Sequence, residues 1–281
     1  MFLCRSVLYV PGDNLRALAK ARDLPADVLI LDLEDAVSPQ HKVEARENVR
    51  RALGEGFPRQ QVAVRVNALS TPWGDDDLQM ALVSGPNAIA LPKAEDPAEV
   101  RALNLGLALW LMIETPRGVL RLQELAALQG VAALVAGTSD LARDLRARPT
   151  PGREPLLYAL SKLVLCARAF GRQALDGVHL DFADAAGFEA VCAQGRRLGF
   201  DGKTLIHPGQ IASANAAFGP TPSEVQEARD LLHAWENARA GGKSVAVLNG
   251  KLIERLHAEE ARATLAAARE IEARADLFTK S

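Results

Sequence analysis

The sequence predicts an α/β fold, a closed TIM (β/α)8 barrel with a C-terminal helical appendage. Three observations carry this. The chain has 281 residues, and barrels of this kind need about 250. Eight short runs, apolar almost throughout, recur over the first three-quarters of the chain. Segments with helical spacing separate them, which implies right-handed βαβ units. A doubly wound open sheet needs fewer strands and is the alternative architecture.

The eight runs are Ser6–Pro11, Val28–Asp35, Val62–Asn67, Ala88–Lys93, Leu107–Thr115, Ala132–Asp140, Ala174–Asp181 and Gly202–Pro208. Near-continuous apolar character marks parallel strands buried on both faces. Among the intervening segments, Lys42–Leu53 is amphipathic, and Glu95–Leu105 carries Pro97 in its first turn. Pro155–Phe170 and Ala183–Leu198 also space their apolar residues by three and four. Beyond Gly219-Pro220-Thr221-Pro222 the pattern changes. Ser223 is placed to cap a helix through Glu236 that stops near Gly241-Gly242. A short apolar stretch, Val245–Asn249, then leads through Gly250 to a long helix over Leu252–Leu277. The expected division is a barrel over 1–218 and a helical arm or lid over 219–281, packing on the barrel or on a neighbouring subunit.

Composition narrows the function classes. Hydrophobic residues make up 48% and charged residues 24%, ordinary globular usage. The 33 basic and 35 acidic side chains nearly cancel, which argues against nucleic acid as partner. Only eight of the basic residues are lysine. Cys4, Cys166 and Cys192 form no CxxC pair, so a disulfide framework or zinc site is not expected and a reducing compartment is. With no export signal and no long apolar span, the expectation is a cytoplasmic protein that does not enter a membrane.

Active sites of such barrels lie at the C-terminal ends of the strands. Those ends read Tyr9-Val10-Pro11-Gly12, Asp32-Leu33-Glu34-Asp35, Arg65-Val66-Asn67, Pro92-Lys93, Glu114-Thr115, Gly137-Thr138-Ser139-Asp140, His179-Leu180-Asp181 and His207-Pro208. Glu114 and Asp140 end adjacent strands, where two carboxylates repel unless a cation lies between them or one keeps its proton. Oxygen-only ligation suits Mg²⁺ or Mn²⁺; salt bridges to Arg117 or Arg143 are the other explanation. Arg65, among Val62, Ala63, Val64 and Val66, needs an anion. That anion is either a substrate carboxylate or an ion pair with Asp32 or Glu34. Gly137-Thr138-Ser139 can offer backbone N–H groups to an anion. Lys93 either forms a Schiff base or neutralises the acidic rim, and the metal reading ranks above it.

The pattern resembles the citrate lyase β-subunit (CitE-like) group of the HpcH/HpaI aldolase family. The resemblance rests on Ser6-Val7-Leu8-Tyr9-Val10-Pro11-Gly12, Leu31-Asp32-Leu33-Glu34-Asp35-Ala36-Val37, Arg65-Val66-Asn67, Leu91-Pro92-Lys93, Ile113-Glu114-Thr115 and Gly137-Thr138-Ser139-Asp140-Leu141, in that order. Ile206-His207-Pro208-Gly209-Gln210-Ile211 and Leu248-Asn249-Gly250-Lys251-Leu252-Ile253-Glu254 extend it.

It implies a Mg²⁺-dependent carbon–carbon lyase that cleaves or forms a 3-hydroxyacyl thioester of citryl, malyl or citramalyl type. The products are a 2-keto acid (oxaloacetate, glyoxylate or pyruvate) and an acetyl thioester. Glu114 and Asp140 are then the metal ligands, and Arg65, Glu114, Gly137 and Thr138 bind the keto acid. Tyr9, Pro11, Gly12, His207 and Pro208 meet the thioester, carried by CoA or by an acyl-carrier protein. Assembly as a homo-trimer or hexamer is also implied. CoA-dependent relatives place an Asp where this chain has Glu254; that Asp reaches a neighbouring subunit's barrel mouth and handles the thioester methyl proton. Glu254 is one methylene longer, and is either the catalytic base or a surface residue. The alternatives are a metal-dependent aldolase acting on free hydroxy-keto acids and a non-catalytic binding or complex subunit.

Overall fold

The computed structural model describes residues 3–103 and 105–279. Eight parallel strands close in sequence order: β1 (Ser6–Pro11), β2 (Val28–Asp32), β3 (Gln61–Arg65), β4 (Ala88–Leu91), β5 (Ala108–Ile113), β6 (Val131–Ala136), β7 (Gln173–Asp176) and β8 (Gly202–Leu205). β1 pairs with both β2 and β8, with Val7 opposite Val28 and Thr204. The helices of this part are α1 (Leu15–Ala21), α2 (Lys42–Glu55), α3 (Gly74–Ser84), α4 (Pro97–Leu103), α5 (Pro116–Leu120), α6 (Leu122–Ala126), α7 (Thr138–Asp144), α8 (Leu157–Ala169), α9 (Ala185–Leu198) and α10 (Ile211–Phe218). The expected helix over Glu95–Leu105 is shorter, beginning at Pro97, whose fixed φ suits a first helical position. The part of it that falls on Asn104 lies outside the described residues.

Strand alternation sorts the core into two shells. Val7, Ile30, Ala63, Ala90, Trp110 and Val135 fill the lumen. Leu8, Leu29, Val64, Leu111 and Leu134 face outward and pack with Leu18, Val49, Leu122 and Leu160 of the helices. The outer shell also holds ions. Lys203 and Asp176 are both fully buried, with Nζ 3.1 Å from Oδ2, while Arg153 donates to Oδ1 at 2.7 Å. Burial opposes charge on Asp176, but Lys203 and Arg153 outweigh it and hold its pKa below the usual range.

Most strands end earlier than their apolar runs. β2 stops at Asp32 instead of Asp35 because the Asp32 carboxylate accepts the N–H groups of Glu34 at 2.9 Å and Ala36 at 3.2 Å. Those bonds replace the ladder and turn the chain. β6 stops at Ala136, so Asp140 lies in the first turn of α7 rather than on the strand.

The chain divides into two compact units, Cys4–Phe218 and a second made of Met1–Leu3 with Gly219–Ser281. In the latter, α11 (Pro222–Ala240) is capped by Thr221 and not by Ser223. Thr221 Oγ1 accepts from Glu224 N at 3.2 Å, and the Glu224 side chain accepts Thr221 N at 2.7 Å. This reciprocal box outcompetes a cap two residues later. β9 (Ala246–Leu248) and β10 (Lys251–Ile253) form a hairpin across Asn249-Gly250, whose φ values are 51° and 76°. The long helix, α12 (Arg255–Thr279), therefore begins after Glu254, and Leu252 and Ile253 belong to a strand. Trp235, Ala246, Ile253 and Ala258 form this unit's core. No helix among the described residues is long and apolar enough to cross a membrane.

Candidate active site

The C-terminal rim of the barrel surrounds a cavity of about 370 Å³ lined by Tyr9, Asp35, Arg65, Glu114, Thr138 and Asp140, among others. Arg65 is its most constrained member. Its Nε donates to Asp32 Oδ1 at 2.7 Å and its Nη2 to Oδ2 at 2.6 Å, a bidentate buried pair. Nη1 lies 2.8 Å from Glu34 Oε2 and 3.6 Å from Asp35 Oδ2. The guanidinium covers the Tyr9 ring, 4.8 Å from its centroid. The ion-pair reading of Arg65 thus holds for its fork, and the residue also faces the cavity. Burial raises the Glu34 pKa to about 7, with Arg65 opposing and the neighbouring carboxylates reinforcing.

Glu114 follows β5 and is buried. Its Oε1 accepts the Lys93 N–H at 2.7 Å. That N–H is aimed by a left-handed backbone at Lys93, φ 48°, which a non-glycine residue adopts only at some cost. The Lys93 side chain is exposed, and the residue is not among those lining the cavity, which removes support for Schiff-base chemistry. Burial raises the Glu114 pKa, reinforced by Asp140 and opposed by the Lys93 N–H and by Arg65. A side chain at Gly137 would collide with Glu114, so only glycine lets α7 begin here. The Gly137 N–H is spent on Ile113 O at 3.0 Å and is not available to an anion. Asp140 Oδ1 forms an ion pair with Arg143 Nη1 at 2.6 Å, the salt bridge that the sequence allowed.

The five expected thioester residues fare differently. Tyr9 lines the cavity, its hydroxyl 3.9 Å from Met112 Sδ, while burial raises its pKa. Pro11 and Gly12 are not among the lining residues; Gly12 is buried and donates to Asp32 O at 2.9 Å. His207 and Pro208 are exposed at the rim. His207 caps a 3₁₀ turn through Nδ1 and stacks on Phe182 with centroids 5.2 Å apart. Glu254 lies in the C-terminal unit at the β10–α12 junction; it is exposed, and its backbone N–H donates to His257 Nδ1 at 3.0 Å.

Sequence reasoning missed two supports. Lys42 Nζ donates to Leu33 O at 2.8 Å and Glu34 O at 2.7 Å, bracing the turn after β2. Asp77 accepts from the Asn67 amide at 2.6 Å and from Arg46 at 2.7 Å, bracing the end of β3. The available signal for the first was a lysine at the start of α2, in register with the buried positions Ala45, Val49 and Ala52.

The HpcH/HpaI aldolase/citrate lyase family model matches residues 5–208, which includes every strand of the barrel. The chain belongs to the HpcH/HpaI aldolase/citrate lyase family. Membership places it in an enzyme family of carbon–carbon lyases. It is 45% identical to a (3S)-malyl-CoA thioesterase of Cereibacter sphaeroides over 96% of each chain. It is 35% identical to citrate lyase subunit beta of Escherichia coli, over 94% of this chain and 93% of that one. Among solved structures, CitE from Mycobacterium tuberculosis in complex with magnesium, acetoacetate and coenzyme A superposes with a TM-score of 0.79. The two are 31% identical, with 94% of this chain and 97% of that one covered.

Within this family member, Glu114 and Asp140 present a donor set suited to a divalent cation. Each carboxylate has one oxygen held by the protein and one without a hydrogen bond among the described residues. No group of three or more His, Cys, Asp or Glu side chains able to hold a metal occurs among the described residues. Two carboxylates beside an open cavity fit Mg²⁺, which keeps several waters and takes substrate oxygens. They do not fit a closed zinc site.

Proposed function

We propose that this protein is a Mg²⁺-dependent lyase acting on a 3-hydroxyacyl thioester of malyl, citramalyl or citryl type. The observation that carries the reading is the juxtaposition of Glu114 and Asp140, each with one oxygen unpaired, in one cavity with Arg65. Glu114 and Asp140 would hold the ion, with Mn²⁺ as the equivalent hard cation. When bound, the ion polarises the oxygen on the carbon being cleaved and stabilises its developing negative charge. Arg65 presents the positive charge that complements the keto-acid carboxylate, and Asp32 fixes its plane. Thr138 and Tyr9 bound the space for the acyl group. In the cleavage direction the hydroxyl proton leaves, the carbon–carbon bond opens to the 2-keto acid, and the acetyl-thioester carbanion takes up a proton.

Glu254 is the proposed proton carrier, by its match to the family's Asp. CoA is the proposed carrier, with an acyl-carrier protein as the other carrier of the same thioester. A homo-trimer or hexamer is the proposed assembly, by the family resemblance, and exposed Val247, Leu252 and Leu256 offer the C-terminal unit an apolar surface for self-association.

A second reading is supported by the relative named (3S)-malyl-CoA thioesterase. Here water adds to the thioester carbonyl, the carbon–sulfur bond breaks, and the thiolate takes the proton. One experiment separates the two. Malyl-CoA incubated with the protein and Mg²⁺ gives glyoxylate and acetyl-CoA in the lyase reading, but malate and free thiol in the hydrolytic one. EDTA abolishes either. Glu114→Gln and Asp140→Asn should each remove Mg²⁺-dependent keto-acid binding in calorimetry, and retention of that binding in both variants would sink the metal reading.

A further inference from the structure

The two candidate ligand carboxylates are each pinned at one oxygen, by different means. Glu114 lies in the core, where the Lys93 N–H fixes Oε1 at 2.7 Å. Asp140 sits in the first turn of α7 with its side chain 19% exposed, so packing alone does not orient it. Its Oδ1 is held at 2.6 Å by Arg143 Nη1, one turn along the same helix. Arg143 is in turn held from the other side, because Nε and Nη2 both donate to Asp144 Oδ1, at 3.1 and 3.0 Å. The guanidinium is therefore a planar bridge between two carboxylates, fixed by Asp144 and fixing Asp140.

We propose that Arg143, clamped by Asp144, is the positioning residue that holds Asp140 Oδ1 so that its second oxygen serves the metal. This rests on the reading of Asp140 as a ligand. Partners that orient a ligating group are worth about 10- to 100-fold in metal affinity. Charge works in the opposite direction, since a cation beside a divalent ion repels it. Removing Arg143 therefore tightens metal binding if charge dominates and weakens it if positioning dominates.

Mn²⁺ titration followed by electron paramagnetic resonance reads affinity without turnover. Arg143→Ala should weaken Mn²⁺ binding about tenfold, and Asp144→Asn should weaken it less. Arg143→Lys, which keeps the charge but not the planar bridge, should remain weak. Thermal midpoints should stay at the parent value, because Arg143 is mostly exposed. Unchanged or tighter binding in Arg143→Ala, with Asp140→Asn still weakened, overturns the positioning role alone. Unchanged binding in Asp140→Asn overturns the ligand reading and the inference together.

Discussion

Arg65 and Asp32 form a two-pronged buried pair across the ends of β3 and β2, at 2.7 and 2.6 Å. The same guanidinium lines the cavity, so one residue serves the fold and the site. The bidentate Asp32 carboxylate also explains why Arg65 keeps its charge in the interior.

Arg65→Lys keeps a charge but loses the fork. The expected outcome is a loss of about 1.5–3 kcal/mol in urea unfolding, the worth of a charged hydrogen bond, together with weaker keto-acid binding. Unaltered unfolding with binding lost would assign the residue to the ligand alone.

Glu34 carries a pKa raised to about 7 by burial. Folding then favours its protonated form. Its effect on stability is absent below the ordinary carboxylate pKa of about 4.5; above that the unfolded chain releases the proton while the folded one keeps it. Stability should fall from about pH 4.5 to 7 and level off beyond. Denaturation midpoints of wild type and Glu34→Gln across pH 4 to 8 should diverge over that window. Parallel curves would refute the assignment.

Asp176 pairs with both Lys203 and Arg153, one through each carboxylate oxygen. Asp176→Asn leaves the buried Lys203 and the half-buried Arg153 without their shared carboxylate, and should cost about 3–5 kcal/mol in chemical denaturation. A loss below 1 kcal/mol would mean that water or rearrangement replaces the carboxylate.

Glu254 exposes its carboxylate while its backbone engages His257. If it moves the thioester methyl proton, Glu254→Gln should lower kcat by about 10²-fold or more with little change in KM, since general bases contribute on this scale. Mn²⁺ and keto-acid affinity should hold. Wild-type turnover in the variant would leave it as a surface residue. Higher turnover in Glu254→Asp would mark a base set one methylene too far.

Much of the fold was legible because parallel strands buried on both faces must be apolar almost throughout. Val28–Asp32 and Ala108–Ile113 could hardly be anything else. Strand ends were not legible, since the Asp32 carboxylate turns the chain through bonds that no periodicity records. The Asn249-Gly250 hairpin carried a sequence signal, two residues suited to positive φ, but its short flanks gave too little alternation to read as strands.

By itself the sequence determined which residues stand at the barrel rim, because the order of strands in a closed parallel barrel follows the order of the chain. It also placed Arg65, Glu114 and Asp140 on that rim. Only the tertiary structure decided what each one touches. Whether Arg65 met Asp32 or a ligand, and whether Asp140 met Arg143, depended on side-chain directions and distances of a few ångströms. Burial and pairing set those charges, and both belong to surroundings assembled from distant parts of the chain.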